Sequence, residues 1–221
     1  MIKAVGIEKS YNGEKVLKGV TLNIKSGEFV SIMGESGSGK STLLSILGSF
    51  LDADCGKVFW WDEDISTFDS NRLAQMRCTK VGFVFQSFRL IPTLTVKDNL
   101  SLPATLGKNM TEQTKDYINK LVVELELEGV LNKYPSQLSG GQCQRVAIIR
   151  SLAYKPSFVI LDEPTGALDS RMEEKVMNLL SRINRTEGLT IVQVTHSKKV
   201  AEYGNRIIYL KDGAITDEAV F

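Results

Sequence analysis

The first chemical signal in the chain is the segment Gly34 to Ser41, which reads G-x-x-x-x-G-K-S. An apolar run at 29–33 precedes it and an apolar helical pattern follows it, so it joins a predicted buried strand to a predicted helix. Glycines let consecutive N–H groups point inward around phosphate oxygens, and the helix start adds its positive dipole end. Lys40 is expected to reach the β- and γ-phosphates, and the Ser41 hydroxyl to bind Mg²⁺. The predicted phosphate-binding residues are Gly34, Ser36, Gly37, Ser38, Gly39, Lys40, Ser41 and Thr42. The sequence therefore predicts binding of a nucleoside triphosphate.

Two adjacent carboxylates, Asp162 and Glu163, follow a second apolar run at 158–161. The carboxyl ends of buried strands are where α/β sheets bind their ligands. Asp162 is therefore predicted to hold the Mg²⁺ shell, and Glu163 to orient or deprotonate an attacking water. A strand end that turns polar at the surface would give the same pair, but the phosphate loop elsewhere in the chain favours the catalytic interpretation.

A second glycine-rich segment, Leu-Ser-Gly-Gly-Gln at 138–142, precedes a helical pattern at 143–152. Its backbone amides and its serine hydroxyl would form another anion cradle at a helix start. A glycine turn that merely caps the helix is the alternative. Because the phosphate loop already serves one γ-phosphate, this second cradle is predicted to bind a nucleotide held by another copy of the chain. Its predicted contact residues are Ser139, Gly140, Gly141 and Gln142.

These groups must be positioned by a sheet. Strands are predicted at 2–9, 16–25, 29–33, 56–61, 81–85, 157–161, 190–194 and 206–210. Helices are predicted after the phosphate loop, at 71–78, from 95 towards 100, from 111, at 143–152, at 171–184 and at 197–203. Early antiparallel strands followed by buried strands that alternate with helices favour an α/β fold, with a mixed sheet and a parallel core. The stretch 87–151 is helical and predicts an insertion. An unusual, exposed-looking pair, Trp60-Trp61, is interpreted as sheet packing.

Composition narrows the function classes. The 221 residues carry 27 Lys and Arg against 26 Asp and Glu, so the formal net charge is +1 and no overall basic field points to nucleic acid or anionic lipid. The three cysteines form no C-x-x-C pair, which favours a reducing compartment over disulfides or zinc. No uncharged run approaches the length of a membrane span. We therefore expect a cytosolic protein, or one that reaches a membrane through a partner.

The motifs together resemble the nucleotide-binding subunits of ABC transporters. The resemblance covers essentially the whole chain, and the pentapeptide at 138–142 is its most discriminating part. Segments 81–96 and 164–169 are most similar to the branch that serves lipoprotein release, macrolide efflux and peptide-antibiotic resistance. The motifs that stand in the family's order and spacing are Gly34–Ser41, Gln86, Leu138–Gln142, Leu161–Pro164, Gly166–Asp169 and His196.

The resemblance implies a fold and further site residues. It implies one P-loop NTPase domain of the ABC ATPase type over 1–221, with an antiparallel β subdomain; 1–86 and 152–221 form the core, and 87–151 the helical signature subdomain. Tyr11 would stack on adenine, although it could be an ordinary surface tyrosine. Gln86 would touch Mg²⁺ and the attacking water, and His196 would contact the γ-phosphate. Asp169 would cross a dimer seam.

The resemblance also implies how the protein works. Two copies would associate head to tail around two ATP·Mg²⁺, and hydrolysis would release them. A separate membrane permease would dock on 87–151, placing the chain on the cytoplasmic face of the membrane without a span of its own. A soluble ABC-type ATPase acting on ribosomes or DNA is the alternative, and direct nucleic-acid binding is not expected. Cys143, Ile149 and Ser151 depart from residues common in the family's signature helix, and the cargo is not specified.

Overall fold

The computed structural model describes residues 1–216, which contain ten strands and seven α-helices. The strands are β1 (Ile2–Tyr11), β2 (Glu14–Ile24), β3 (Phe29–Met33), β4 (Cys55–Trp60), β5 (Glu63–Asp64), β6 (Val81–Val84), β7 (Phe158–Asp162), β8 (Thr190–Val194), β9 (Arg206–Lys211) and β10 (Ala214–Thr216). The helices are α1 (Lys40–Leu47), α2 (Ser70–Thr79), α3 (Val96–Leu106), α4 (Glu112–Glu124), α5 (Gly140–Leu152), α6 (Ser170–Glu187) and α7 (Lys198–Ala201).

The strands of this described part form two sheets. One is antiparallel, with the order β2-β1-β4-β5, and the other has the order β10-β9-β3-β8-β7-β6. In the larger sheet β9, β3, β8, β7 and β6 run parallel, while β10 pairs antiparallel with β9. The predicted mixed sheet with a parallel core is therefore confirmed, and the early antiparallel strands form a separate sheet beside it.

Burial patterns explain which strands lie in the middle. Every residue of β3, β7 and β8 is buried, as expected for central parallel strands covered on both faces. In β1, by contrast, buried Ile2 and Ala4 alternate with exposed Lys3 and Val5, which is the pattern of a strand with one solvent-facing side. Strand position can thus be followed directly from the apolar pattern of the sequence.

Buried apolar residues of the described chain form two clusters on opposite faces of the larger sheet. Phe29 belongs to the cluster that joins α3, α4, α5 and α6, whereas the adjacent Val30 belongs to the cluster shared with α1 and the antiparallel sheet. This alternation follows from the period-two geometry of a strand. The sheet therefore supports the phosphate-loop helix on one face and the helices of the 87–151 stretch on the other.

Several elements differ from the sequence predictions. The short helix predicted from Thr95 extends to Leu106 and contains Pro103, and α5 begins at Gly140 instead of residue 143. Strands β5 and β10 were not predicted. The predicted division into a core and a helical subdomain remains a prediction.

The exposed-looking tryptophan pair is resolved in favour of sheet packing. Trp60 is only 1% exposed, and its indole Nε1 donates a hydrogen bond of 2.9 Å to the carbonyl of Leu47. Its ring meets that of Phe158 edge-on at 5.5 Å. The indole therefore has the polar partner that a buried tryptophan normally requires.

Candidate active site

The phosphate loop connects the end of β3 to the start of α1, and close contacts restrict two of its glycines, Gly34 and Gly39. A Cβ on Gly34 would lie 2.1 Å from the carbonyl oxygen of Leu210, so no other residue fits there without moving β9. Gly39, the N-cap residue of α1, has φ +98°, a conformation that L side chains rarely adopt. A Cβ at Gly39 would also approach Leu17 Cδ2 at 2.8 Å. Sterics therefore fix the path of the loop.

This loop forms one wall of a cleft of about 620 Å³. The predicted site residues that line the cleft are Gly34, Ser36, Gly37, Gly39, Lys40, Ser41, Thr42, Gln86, Asp162, Glu163 and His196. They come from the loop after β3 and the first turn of α1, from the ends of β7 and β8, and from the segment after β6, which meet at the same edge of the parallel sheet. The structure thus brings together residues separated by more than half of the chain.

Lys40 is held at the mouth of the phosphate loop. Its Nζ donates hydrogen bonds of 2.8 and 2.6 Å to the carbonyl oxygens of Gly34 and Glu35. Burial lowers the pKa of Lys40, while the nearby carboxylates of Glu163 and Asp162 act in the opposite direction. An anion in the loop would give this ammonium group a stronger partner than the two carbonyls.

Oxygen donors from two elements meet beside Lys40. The Ser41 hydroxyl donates to Asp162 Oδ1 at 3.1 Å, which joins the first turn of α1 to the end of β7. Asp162 is only 8% exposed, and this burial raises the pKa of its carboxyl group. A hydroxyl and a carboxylate, with the amide of Gln86 in the same cleft, are the hard oxygen ligands that Mg²⁺ prefers. The residues present therefore fit a magnesium ion.

Glu163 and His196 form a pair across the ends of β7 and β8. His196 Nδ1 lies 3.0 Å from Glu163 Oε1, and the Glu163 N–H donates to the carbonyl of Val194 at 3.1 Å. Glu163 has φ +49°, which is uncommon for a residue with a side chain and recurs at functional sites. Its side chain is 16% exposed whereas that of His196 is 76% exposed, so the carboxylate lies inside the cleft and the imidazole at its rim.

Ser38 and Gln144 carry buried polar atoms that have no hydrogen-bond partner among the described residues. These are the Ser38 hydroxyl oxygen and the Gln144 side-chain Nε2. Buried polar groups normally have partners, and leaving one unpaired is costly. Ser38 lies in the phosphate loop, and Gln144, which is 1% exposed, lines the cleft. Both atoms are therefore suited to a ligand or an ordered water.

The second cradle has a different arrangement. Ser139 is the N-cap of α5; its hydroxyl oxygen accepts from the Gln142 N–H at 3.2 Å, and Gln142 Oε1 accepts from the Ser139 N–H at 2.9 Å. In the described structure, Ser139 to Gln142 lie outside the set of residues that line the cleft. The capping interpretation and the anion-cradle interpretation are thus compatible, because the Ser139 hydroxyl hydrogen is still available to donate.

Two residues given a role by the family resemblance lie elsewhere. Tyr11 is the last residue of β1, is 46% exposed and lies outside the cleft lining of the described chain. Asp169 is the N-cap of α6 and accepts a 2.9 Å hydrogen bond from the Met172 N–H. Their roles at adenine and at a dimer seam stay predictions.

Six residues that line the cleft were not among the predicted site residues: Val16, Phe88, Gln144, Gly166, Ala167 and Val194. Gln144 had a usable signal, since it lies two positions beyond the glycine-rich pentapeptide. Val16 and Phe88 had none, because an apolar residue within or shortly after a strand indicates packing as readily as a ligand contact. Cys143, noted as a departure from the family, is half-buried, and this burial raises the pKa of its thiol.

Residues 17–166 match the profile of a protein family described as ABC transporter. The chain belongs to the ABC transporter family. Proteins named as ABC transporter ATP-binding proteins match the chain over nearly its full length. An uncharacterized ABC transporter ATP-binding protein of Methanocaldococcus jannaschii, MJ0796, is 47% identical over 99% of this chain and 96% of its own length. The lipoprotein-releasing system ATP-binding protein LolD of Aquifex aeolicus is 43% identical over 99% and 97%. The bacitracin export ATP-binding protein BceA of Halalkalibacterium halodurans is 39% identical over 97% and 87%.

A solved structure of the MJ0796 cassette, dimeric and bound to ADP and Pi after hydrolysis, superposes with a TM-score of 0.93 at 45% identity, covering 99% of this chain and 98% of that one. The predicted family, its branch and the ABC ATPase fold are confirmed. The chain is an ATP-binding, ATP-hydrolysing subunit of the ABC transporter type, which the relatives favour over the ribosome- or DNA-directed alternative. None of the helices in residues 1–216 is long and apolar enough to cross a membrane.

Proposed function

We propose that two copies of the chain associate head to tail and enclose two ATP·Mg²⁺, each between one copy's phosphate loop and the other copy's Ser139 to Gln142. The observation that carries this proposal is the separation of the two cradles. Lys40 and Glu163 share a cleft that Ser139 to Gln142, as described above, do not line. An isologous arrangement closes after two copies and uses both cradles on each nucleotide. ATP then holds the dimer closed, and hydrolysis releases it.

Six of the residues that line the cleft have a role in this dimer. Lys40 binds the β- and γ-phosphates, and Ser41, Asp162 and Gln86 hold Mg²⁺. Bound Mg²⁺ supplies neutralisation of the charge that develops on the phosphate oxygens. Glu163 accepts a proton from the attacking water, and His196, 3.0 Å from Glu163, contacts the γ-phosphate. The chain therefore contributes mainly positioning and charge stabilisation to the reaction.

The motion of the dimer is proposed to act on a separate membrane permease that docks on the 87–151 region. This stretch carries two of the more exposed large apolar side chains, Leu106 at 62% and Val123 at 59%. It also begins directly after Gln86, so nucleotide contacts and the docking surface are adjacent in sequence. Such docking would place the chain on the cytoplasmic face of the membrane.

The Glu163→Gln variant tests the dimer. We expect it to bind ATP, to turn over very slowly and to elute as a dimer in ATP·Mg²⁺, measured by gel filtration with light scattering. The matched control, Glu163→Gln with Lys40→Ala, should stay monomeric because the phosphate contact is lost. Near-normal steady-state hydrolysis by Glu163→Gln would contradict the role of Glu163.

The permease is tested by purifying tagged Glu163→Gln protein with ATP·Mg²⁺ from detergent-solubilised membranes of its own host. Recovery of one multi-span protein is expected. Recovery of ribosomal or DNA-associated proteins alone would contradict the transport role while leaving the nucleotide chemistry intact.

A further inference from the structure

The segment that follows Gln86 contains a turn in an unfavourable backbone conformation. Phe88 and Arg89 have φ +61° and +45°, so two consecutive residues with bulky side chains lie in the left-handed region. The turn is tight, with the Phe88 N–H bonded to the Phe85 carbonyl at 2.9 Å and the Arg89 N–H to the Ser87 carbonyl at 2.6 Å. A conformation of this kind persists only where neighbouring groups hold it.

Arg150, on α5, supplies that hold. Its Nη1 donates to the carbonyl oxygen of Arg89 at 2.8 Å, and its Nη2 donates to that of Phe88 at 2.8 Å. The guanidinium group therefore binds the carbonyls of both left-handed residues at once, with the fork geometry that lysine lacks. Burial lowers the pKa of Arg150, in line with a guanidinium enclosed by the turn.

The end of α5 that carries Arg150 is fixed against β6, the strand that leads into Gln86. A Cβ on Gly82 would lie 2.4 Å from the Ser151 carbonyl oxygen, so the two backbones are in close contact. The Tyr154 hydroxyl also donates to the Val81 carbonyl at 2.6 Å. Arg150 thus binds the turn from a helix, α5, that packs directly on β6. The short segment between β6 and the turn contains Gln86.

We propose that Arg150 is a positioning residue for Gln86: it keeps the Phe88–Arg89 turn left-handed and thereby holds Gln86 in the nucleotide cleft. Phe88 and Gln86 both line that cleft, so a relaxed turn would move both residues. Arg150 donates its hydrogen bonds to main-chain carbonyls of the turn and acts through them. The inference rests on the proposed role of Gln86 at the attacking water.

The first test compares Arg150→Met and Arg150→Lys with the unmodified chain. We expect kcat for ATP hydrolysis to fall by about tenfold or more in both, since a displaced positioning group commonly costs that much, while KM for ATP changes by less than about twofold. The lysine variant keeps the charge and, lacking the fork, should not rescue activity. Unchanged kcat, or an equal loss in kcat and in ATP affinity, would overturn the proposal. Circular dichroism and thermal melting verify that each variant is folded.

The second test uses the backbone conformation itself. In the Arg150→Met background, Arg89→Gly removes the left-handed penalty whereas Arg89→Ala keeps it, and both remove the Arg89 guanidinium that lies 4.0 Å from the Phe85 ring. We expect the glycine double variant to hydrolyse ATP several-fold faster than the alanine one. Equal rates would show that Arg150 does not act by holding this turn.

Gln86→Ala, measured alongside, tests the role of Gln86 in hydrolysis separately from the role of Arg150 in positioning it. A lower kcat in Gln86→Ala with an unchanged Arg150→Met overturns the positioning role alone. An unchanged kcat in Gln86→Ala overturns the proposed role of Gln86, whatever the Arg150 variants do.

Discussion

The chain begins two helices at glycine-rich segments that are proposed as anion cradles, and the two helix starts are stabilised in opposite ways. Helix α1 starts at a left-handed glycine, Gly39, and no side chain of the described residues caps it. Helix α5 starts at Ser139, which forms a reciprocal capping box with Gln142. The first cradle therefore keeps its amide donors for a ligand and relies on sterics for its shape. The second satisfies its own helix end and is stable before any ligand arrives. This difference agrees with the proposal that the first cradle binds a nucleotide in the monomer and that the second contributes to the site of a partner copy.

The largest effect is expected from substituting a glycine of the phosphate loop, whose shape depends on steric contacts. Gly34→Ala places a Cβ 2.1 Å from the Leu210 carbonyl, and we expect a loss of about 3 kcal/mol in unfolding free energy together with loss of ATP binding. Gly37→Ala is the matched control, because its Cβ meets no atom within 4 Å although φ is +82°. It should lose only about 1 kcal/mol. Urea unfolding and ATP-analogue titration measure both; equal losses would contradict the steric account.

Lys40→Ala and Ser139→Ala compare how much each cradle contributes to ATP binding by the monomer. We expect ATP affinity to fall by about 100-fold in Lys40→Ala, because a charge-assisted contact with phosphate is removed from a partly buried site. Ser139→Ala should leave ATP binding to the isolated monomer unchanged. Equilibrium titration of monomeric protein with a fluorescent ATP analogue distinguishes the two. Weakened monomer binding in Ser139→Ala would mean that the second cradle serves its own copy's nucleotide.

Ser139 also allows the capping and ligand roles to be separated. Ser139→Ala removes the cap of α5 and should cost about 1 kcal/mol of stability. Ser139→Asp keeps a good N-cap but puts a negative charge where the partner's phosphate would bind, so we expect stability close to that of the unmodified chain and no ATP-dependent dimer. Urea unfolding and light scattering in the Glu163→Gln background provide the measurements. A dimer that persists in Ser139→Asp would contradict the proposed seam.

The smallest effect concerns the charges that hold the second cradle in place. Arg145 donates from Nε to the Gly141 carbonyl at 3.2 Å and from Nη1 to the Leu125 carbonyl at 2.6 Å, next to Glu126. Arg171, and then Lys175, lower the pKa of Glu126 from its ordinary 4.5 to about 2. The ionised form is favoured in the folded state, so the stabilisation is present above about pH 4.5 and is lost as the pH falls through about 2.

Comparison of thermal midpoints with Glu126→Gln measures this contribution. The difference should be small at neutral pH, because all three side chains are at the surface, and smaller still at high salt. It should vanish towards pH 2. A difference that grows as the pH falls would contradict this sign.

The sequence predicted the first cradle far more completely than its surroundings, for physical reasons. The phosphate loop and the buried strands β3, β7 and β8 depend on local residue patterns, which can be seen in a window of about ten residues. The hydrogen bonds from Arg150 to the Phe88–Arg89 turn join segments that are far apart in the sequence, and no local pattern marks them. Strand β10 pairs with the preceding strand β9 across a short turn, but its three residues are too few for an alternating pattern to identify a strand. Helix α3 exceeded its predicted length because packing on α5 tolerates Pro103 within it. Gln144 lies on a predicted helix, but only the fold shows that its amide is buried against the cleft.

The buried indole of Trp60 has a spectroscopic consequence. Its Nε1 is bonded to Leu47, the last residue of α1, while Lys40 is the first residue of the same helix. Tryptophan emission is sensitive to the hydrogen bonding and polarity around the ring, so a small displacement of this helix on nucleotide binding is converted into a change in intensity or wavelength. The chain has one other tryptophan, Trp61, and Trp61→Phe leaves a single emitter. The protein therefore contains an intrinsic optical reporter for its phosphate-loop helix, which can be followed in stopped flow without an attached dye.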